Sequence, residues 1–191
     1  QDRPNDAADT YGAFVAHHPL HAQAPLLQTE VIAIHEKAGF AALALQAKKE
    51  FVARYGTNSP FRRTNRSGWE RAQPLVRTHL AELARHYHAA SQQTQANPEV
   101  RQESVREAVQ WYQALLKAFP TDAEAAPNSF LLAELLYEDK RYADAAAQYT
   151  QTAYGYPAHV RSADAGYAAL LALAQQTQGA APEQQPRLRR A

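Results

Sequence analysis

An alanine, a tyrosine and a proline recur at one fixed spacing along this chain, and this recurrence constrains its fold more than any other feature. The tyrosine follows the alanine by four positions, and the proline follows the tyrosine by eight. The three copies are Ala7, Tyr11 and Pro19, then Ala108, Tyr112 and Pro120, then Ala145, Tyr149 and Pro157. A fourth set, Ala44, Lys48 and Gly56, keeps the spacing with two residue types changed. A recurring unit predicts neighbouring units that stack into a solenoid.

Composition agrees with a helical protein and excludes several kinds of site. Hydrophobic residues make up 46% of the 191 residues and charged ones 20%, while the β-formers Val and Ile are scarce. Cysteine is absent, which excludes disulfides, thiolate metal sites and thiol nucleophiles. The formal net charge of +1 argues against a nucleic-acid binder that relies on bulk electrostatics. The sequence has no run of apolar residues long enough to predict a membrane span.

Apolar periodicity predicts one helix after another. The expected helices cover 26–37, 40–55, 69–95, 99–119, 130–138, 142–154 and 162–176, after a first helix that carries Tyr11. Because Pro74 fits only in a first helical turn, the helix over 69–95 is expected to begin near Gln73. Residues 57–68 show no helical pattern and are expected to be a loop or an insertion, and 179–191 a disordered tail. The terminal helix over 162–176 is expected to be amphipathic through Ala163, Tyr167, Leu170, Leu171 and Leu173.

Residues 128–159 predict a hairpin of two helices joined by a turn at 139–141. Ala145 allows the helices to approach closely where they cross, Tyr149 fills the space against the next hairpin, and Pro157 ends the second helix. These marks resemble the tetratricopeptide repeat family, whose hairpins carry small residues at the crossing, aromatic residues around it and a closing proline. The resemblance covers 5–19, 26–56, 69–120 and 128–159, with 162–176 as a terminal helix. The interval between Ala108 and Ala145 is 37 residues, longer than the family's repeat of about 34.

The resemblance implies an all-α fold, in which antiparallel helix hairpins form a right-handed superhelix within a single domain over residues 1–178. It also implies a non-catalytic scaffold or adaptor, with the first helix of each hairpin lining a concave groove for a partner peptide or helix. Family members that clamp a terminal carboxylate use Lys, Arg and Asn in this groove. The corresponding residues here are apolar or acidic, which favours a basic or mixed apolar partner. The expected partner-binding residues are Phe130, Leu131, Glu134, Tyr137 and Glu138.

A basic and aromatic cluster leaves an alternative function open. RNA, phosphate or an acidic protein surface would bind this cluster, which consists of Arg62, Arg63, Arg66 and Arg71 with Phe61 and Trp69. A solvated loop explains the same residues as well, and the low net charge makes nucleic acid the less favoured ligand.

Catalysis and metal binding have weaker support in the sequence. His17, His18 and His21 would serve a metal-dependent accessory domain, but no carboxylate stands at helical spacing to them and no HExxH pattern occurs. Glu134 and Glu138 lie one helical turn apart, as an acid–base pair would, yet nothing near them in the sequence supplies a nucleophile or an oxyanion hole. We therefore expect a protein that is not an enzyme, with no catalytic residue, no metal and no cofactor.

The start of the chain and the type of repeat give two further expectations. The sequence begins at Gln1 rather than at a methionine, so we expect a processed protein or part of a larger polypeptide or complex. Within the family, the pattern is most similar to repeat proteins of the bacterial envelope, which implies the periplasm or envelope rather than the cytoplasm. The identity of the partner does not follow from the sequence.

Overall fold

A computed structural model describes residues 4–93 and 97–179 of the chain, and all regular structure among them is helical. Eight helices have 13 or more residues and one has 5, with no strand in the described ranges. The prediction of an all-α protein is therefore confirmed. In chain order the helices are α1 (Pro4–His17), α2 (Ala24–Lys37), α3 (Ala41–Tyr55), α4 (Pro60–Thr64), α5 (Arg66–Ser91), α6 (Pro98–Ala118), α7 (Ala125–Glu138), α8 (Tyr142–Tyr154) and α9 (Ser162–Gly179).

The chain divides into two compact units, Gln1–Leu83 and Ala84–Ala191, with the boundary inside α5. In the first unit α1 packs on α2, α2 on α3 and α3 on α4. In the second unit α6 packs on α7, α7 on α8 and α8 on α9. Consecutive helices thus pack against each other from α1 to α4 and from α6 to α9, as expected where short connections join antiparallel helices. The right-handed superhelix and the single domain over 1–178 stay predictions. Among the described residues, no helix is both long and apolar enough to cross a membrane.

The hairpin of α7 and α8 has the geometry expected from its sequence. The predicted turn at 139–141 is confirmed, and Lys140 adopts the left-handed conformation there with φ of 62°. Ala133 of α7 and Ala145 of α8 are both fully buried, so small side chains are found where the two helices meet. The hydroxyls of Ser129 and Thr152 are 2.7 Å apart across the same pair and satisfy each other in the core. Close approach of the two backbones is therefore the basis of this hairpin.

The stretch 57–68 is not the loop that its lack of periodicity predicted. It contains α4, whose first turn is capped by the Ser59 hydroxyl, which accepts a hydrogen bond from the backbone N–H of Arg62 at 3.2 Å. Proline at the first position of α4 favours the same start. The ring of Phe61 is fully buried, and its centroid lies 5.0 Å from that of Tyr55. A helix of five residues is too short to show periodicity, and only its cap and one aromatic anchor reveal it.

Helix α5 begins at Arg66, earlier than the predicted start near Gln73, and Pro74 lies inside it. Asn65 explains the earlier start, because its side-chain oxygen accepts the backbone N–H of Gly68 at 2.9 Å and caps the first turn. The helix ends at Ser91, four residues before the predicted end at Gln95. The helices over 26–37, 40–55, 99–119 and 142–154 match their predicted ranges within two residues at each end, whereas α7 begins at Ala125, five residues before its predicted start at Phe130.

Helix α9 confirms the predicted terminal helix but not its buried face. It buries Ala165, Ala169 and Ala172, while Tyr167 is 66% exposed and Leu170 is 64% exposed. The small side chains face the core because α9 packs closely against α8. The helix also includes Gly179, where the tail was predicted to start, and residues 180–191 lie outside the described part of the chain.

Lys48 stands where the complete sets have a tyrosine, and in the first unit two carboxylates surround it. Its Nζ lies 2.6 Å from Glu36 and 2.8 Å from Glu82, and only 14% of its side chain is exposed. Burial lowers the pKa of Lys48, but the hydrogen bonds and charges of the two glutamates outweigh burial and leave that pKa raised. Nδ1 of His79 is 3.1 Å from Glu82. This hydrogen bond and the Lys48 ammonium outweigh burial and lower the pKa of Glu82 to about 2.

We expect Ala145→Leu to destabilise the second unit by about 1–3 kcal/mol, because the added atoms have no room at the helix crossing. Chemical denaturation followed by circular dichroism measures the change. Ala147→Leu is the matched control, since Ala147 is exposed on the same helix and its replacement should change the free energy of unfolding by about 0.5 kcal/mol or less. Equal effects of the two substitutions would contradict a close crossing at Ala145.

We expect Glu82→Gln to remove part of the acid sensitivity of the first unit. The folded pKa of about 2 lies below the ordinary value of 4.5, so ionised Glu82 stabilises the fold above pH 4.5. This contribution is lost as the pH falls from 4.5 towards 2. The difference in unfolding free energy between wild type and variant should therefore be largest above pH 4.5 and shrink towards pH 2. A difference that stays constant over this range is the contrary result.

Candidate functional site

The most distinctive surface of the second unit is one face of α7. Leu131, Glu134 and Tyr137 follow one another at helical spacing and are half-buried, and Glu138 is exposed one turn after Glu134. These four predicted partner-binding residues therefore share a face that solvent reaches. We call them the α7 face.

Phe130, the fifth predicted residue, lies beneath this face. Its side chain is 6% exposed, and its ring meets that of Tyr149 edge-on with centroids 5.6 Å apart. The guanidinium of Arg161 lies over the ring of Phe130, 4.6 Å from the ring centroid. The ring of Phe130 is therefore packed into the core rather than open to a partner. The sequence could not reveal this, because Arg161 comes from a different part of the chain.

Glu134 lies among charged and aromatic groups from several elements. Burial raises its pKa, the charge of Glu138 acts in the same direction, and the charge of Arg161 opposes both. Glu134 in turn contributes to the raised pKa values of Tyr112 and Tyr149. Within the described part of the chain, no hydrogen bond or ion pair engages the Glu134 carboxylate. Glu134 is thus a partly desolvated acid without a direct partner in the fold.

Tyr112 and Tyr149 stand on either side of α7 in sequence, on α6 and α8. Tyr112 is 1% exposed and Tyr149 is 5% exposed. Burial raises the pKa of both phenols to about 12, so each keeps its proton at neutral pH. Sequence analysis identified both tyrosines as packing marks, and it did not predict that they neighbour the α7 face. The spacing of the two tyrosines predicted that they pack between helices, and it gave no information about the α7 face.

His88 contacts the hydroxyl of Tyr112. Its Nδ1 is 3.2 Å from the Tyr112 hydroxyl, and its Nε2 is 3.3 Å from the side-chain nitrogen of Gln92. Burial lowers the pKa of His88, and the charge of Glu138 acts against that shift. A neutral imidazole with both nitrogens engaged holds the phenol of Tyr112 in a fixed position.

Beyond Glu138 the α7 face continues into a polar cavity of about 620 Å³. Arg101 and Gln102 of α6 line it opposite Glu138 and Asp139. Gln102 donates a hydrogen bond to Asp139 at 3.3 Å, which ties the two sides together. The cavity mixes both charges, so it has no strong preference for an anion or a cation.

The second predicted binding cluster is largely engaged within the fold. Trp69 is 9% exposed, and its indole N–H donates to a backbone carbonyl at the end of α3 at 3.2 Å. The guanidinium of Arg62 lies 4.5 Å from the Trp69 ring centroid. Arg62 and Arg63 also donate to backbone carbonyls of the preceding turn, at 2.7 and 3.0 Å. Arg66 is 93% exposed and pairs with the glutamate one turn further on, at 3.4 Å. The structure therefore does not bring these arginines together as one anion site.

The three N-terminal histidines are exposed. The rings of His18 and His21 lie 5.1 and 5.3 Å from that of Phe14, and Nδ1 of His21 accepts the backbone N–H of residue 23. His17 is the last residue of α1. Over residues 4–93 and 97–179, no three His, Asp or Glu side chains are placed to hold a metal ion.

Comparison of the sequence with protein-family models gives no match, and comparison with curated proteins gives none either. On the α7 face, a partly buried charge and aromatic groups lie where solvent reaches them.

We expect Glu134→Gln to stabilise the protein at neutral pH. The folded pKa of Glu134 is raised above its ordinary value of 4.5, so ionising this carboxyl above pH 4.5 costs stability. Glutamine removes that cost, and the gain should vanish as the pH falls below 4.5, where the wild-type carboxyl is protonated in both states. Thermal unfolding of both proteins across this pH range measures the effect, which is opposite in direction to that of Glu82→Gln. A loss of stability at neutral pH in Glu134→Gln would show that the carboxylate has a stabilising partner.

Proposed function

We propose that this chain is a non-catalytic scaffold that binds a partner peptide or helix along the α7 face. The observation that carries the proposal is Glu134, a half-buried carboxylate that no cation of the described chain pairs with directly. Leu131 and Tyr137 flank it with apolar and aromatic surface. A surface of this composition suits a peptide or helix that carries basic residues beside apolar ones.

The proposal includes a tetratricopeptide-like superhelix, and two features support it. The alanine is buried in three of the four sets, at Ala44, Ala108 and Ala145, and half-buried at Ala7. Consecutive helices pack against each other from α1 to α4 and from α6 to α9, as repeated hairpins require. In such a superhelix, the first helix of each hairpin lines the concave side, and α7 is the first helix of the hairpin with α8.

A binding role suits the chemistry of the face better than catalysis. Tyr112 and Tyr149 keep their protons at neutral pH because burial raises their pKa values to about 12, so neither is a ready general base. His88 is buried and has both ring nitrogens engaged. The groups around Glu134 therefore position one another and leave little capacity for proton transfer.

The test is direct binding of two labelled amphipathic peptides, one of leucine and lysine and one of leucine and glutamate, measured by fluorescence anisotropy. We expect the basic peptide to bind and the acidic one to bind at least about tenfold more weakly. The double variant Glu134→Lys/Glu138→Lys should weaken binding of the basic peptide by about tenfold or more, because two attractive charges become repulsive.

The matched control is Glu30→Lys/Glu70→Lys, which makes the same change in net charge at two exposed positions of the first unit. This control should bind the basic peptide nearly as well as the wild type. Equal losses in the two double variants would show a general charge effect and contradict a site on the α7 face. Equal binding of the two peptides by the wild type would contradict the preference for a basic partner.

A further inference from the structure

A continuous groove along α8 and α9 is open to solvent in the second unit. Two adjoining cavities of about 530 and 610 Å³ form it, and both are lined by Thr150, Tyr154 and Leu173. Tyr154 reaches across to α9, where a Cβ at Gly166 would lie 3.1 Å from its hydroxyl. The ring of Tyr154 is 79% exposed and forms a wall of both cavities. No residue of the α7 face lines this groove, so the two surfaces are separate.

The groove is uncharged along the described residues that line it. Asp144 is the one charged residue of α8 and Asp164 that of α9, and neither lines the groove. Asp144 pairs instead with Arg141, at 2.6 Å. A charged partner would lose its hydration in this groove without meeting an opposite charge, which costs free energy. The groove therefore requires an uncharged apolar partner, unlike the basic partner proposed for the α7 face.

An apolar ridge beside the groove is a surface of this kind. Leu170 and Leu171 follow Tyr167 along α9 by three and four residues, so the three side chains share one helix face. All three are exposed. Tyr167 and Leu170 also line the groove, so the ridge and the groove share a wall. A twofold interface needs both shapes in one patch, because each copy presents the same patch to the other.

Two copies of the chain have enough apolar surface here for a weak, specific interface. The exposed parts of Tyr154 and Tyr167 and of the leucines at 170, 171 and 173 amount to about 500 Å² per copy. Two copies would then bury about 1,000 Å² between them, which is near the lower limit for a specific interface. An exposed apolar patch of this size is also at the upper end of what a typical monomer leaves in water. The area thus fits a dimer that dissociates in the micromolar range.

We propose that this protein forms a twofold dimer in which the α9 ridge of each copy lies in the groove of the other. The contact is apolar on both sides, so it is stabilised by the removal of tyrosine and leucine side chains from water. Both copies contribute α8 and α9 to it, and each groove is filled by the same ridge. The dimer uses no residue of the α7 face and does not depend on the proposed function.

Sedimentation equilibrium of the full chain tests this dimer. We expect the mass of one chain at about 1 μM and of two chains at about 500 μM, with a dissociation constant on the order of 10 μM. The mass should not exceed two chains, because a twofold interface closes on itself. Raising the salt concentration from about 0.05 to about 0.5 M should not weaken the dimer, since no charges are paired across it.

Two substitutions place a charge in the interface, one from each helix. Leu170→Glu on α9 and Thr150→Glu on α8 should each weaken dimerisation by about tenfold or more, because the carboxylate would be buried without an opposite charge. Both positions are exposed in the single chain, so each variant should stay folded, which circular dichroism checks. Leu43→Glu is the matched control, since Leu43 is an exposed leucine on α3 of the first unit. This control should dimerise as the wild type does.

The dimer is overturned if the wild type stays monomeric up to about 500 μM, if its mass rises beyond two chains, or if both groove variants dimerise as the wild type does. Equal weakening by Leu43→Glu and Leu170→Glu would also overturn it. A monomer whose groove binds an uncharged peptide of leucine and glutamine would assign the groove to a different partner and likewise overturn the dimer. The double variant Glu134→Lys/Glu138→Lys separates the two proposals, because it should lose the basic peptide and keep the dimer.

Discussion

The close approach of helices at alanine is the constraint on which the second unit depends. Ala108, Ala133 and Ala145 are fully buried, and a larger side chain at any of them would separate two backbones. Because α7 and α8 approach so closely, Phe130 and Tyr149 are forced into edge-on contact. That contact lies beneath the α7 face, so the form of this surface is a consequence of the packing below it.

A partly buried charge has ion-pair partners in the first unit and none in the described part of the second. Lys48 of the first unit has carboxylates at 2.6 and 2.8 Å, and these offset the cost of its burial. It stands where the complete sets have a tyrosine, so the ion pairs replace an aromatic packing contact. Glu134 of the second unit has no such partner, and burial raises its pKa. The fold itself neutralises the charge of Lys48, whereas the charge of Glu134 is opposed only by the more distant charge of Arg161.

Helical periodicity revealed most of the fold because most helices are long enough to show a buried stripe. It failed at α4, where five residues span little more than one turn and Ser59 and Phe61 supply the information instead. It also predicted the wrong buried face for α9. Periodicity shows that a helix has an apolar and a polar face, but it does not show which neighbouring helix each face contacts. Ala165 and Ala169 are buried since α8 approaches closely, and this depends on the tertiary path.

The site was predictable to a similar extent and for the same reason. Spacing along α7 was sufficient to place Glu134, Tyr137 and Glu138 on one face, but it could not place Phe130 in the core or bring Arg161 over it. Those contacts also decide the energetics of the face. A cation that binds only the folded chain would stabilise it by mass action while relieving the unpaired carboxylate. A partner cation at Glu134 would therefore make stability and binding there two measurements of one free energy.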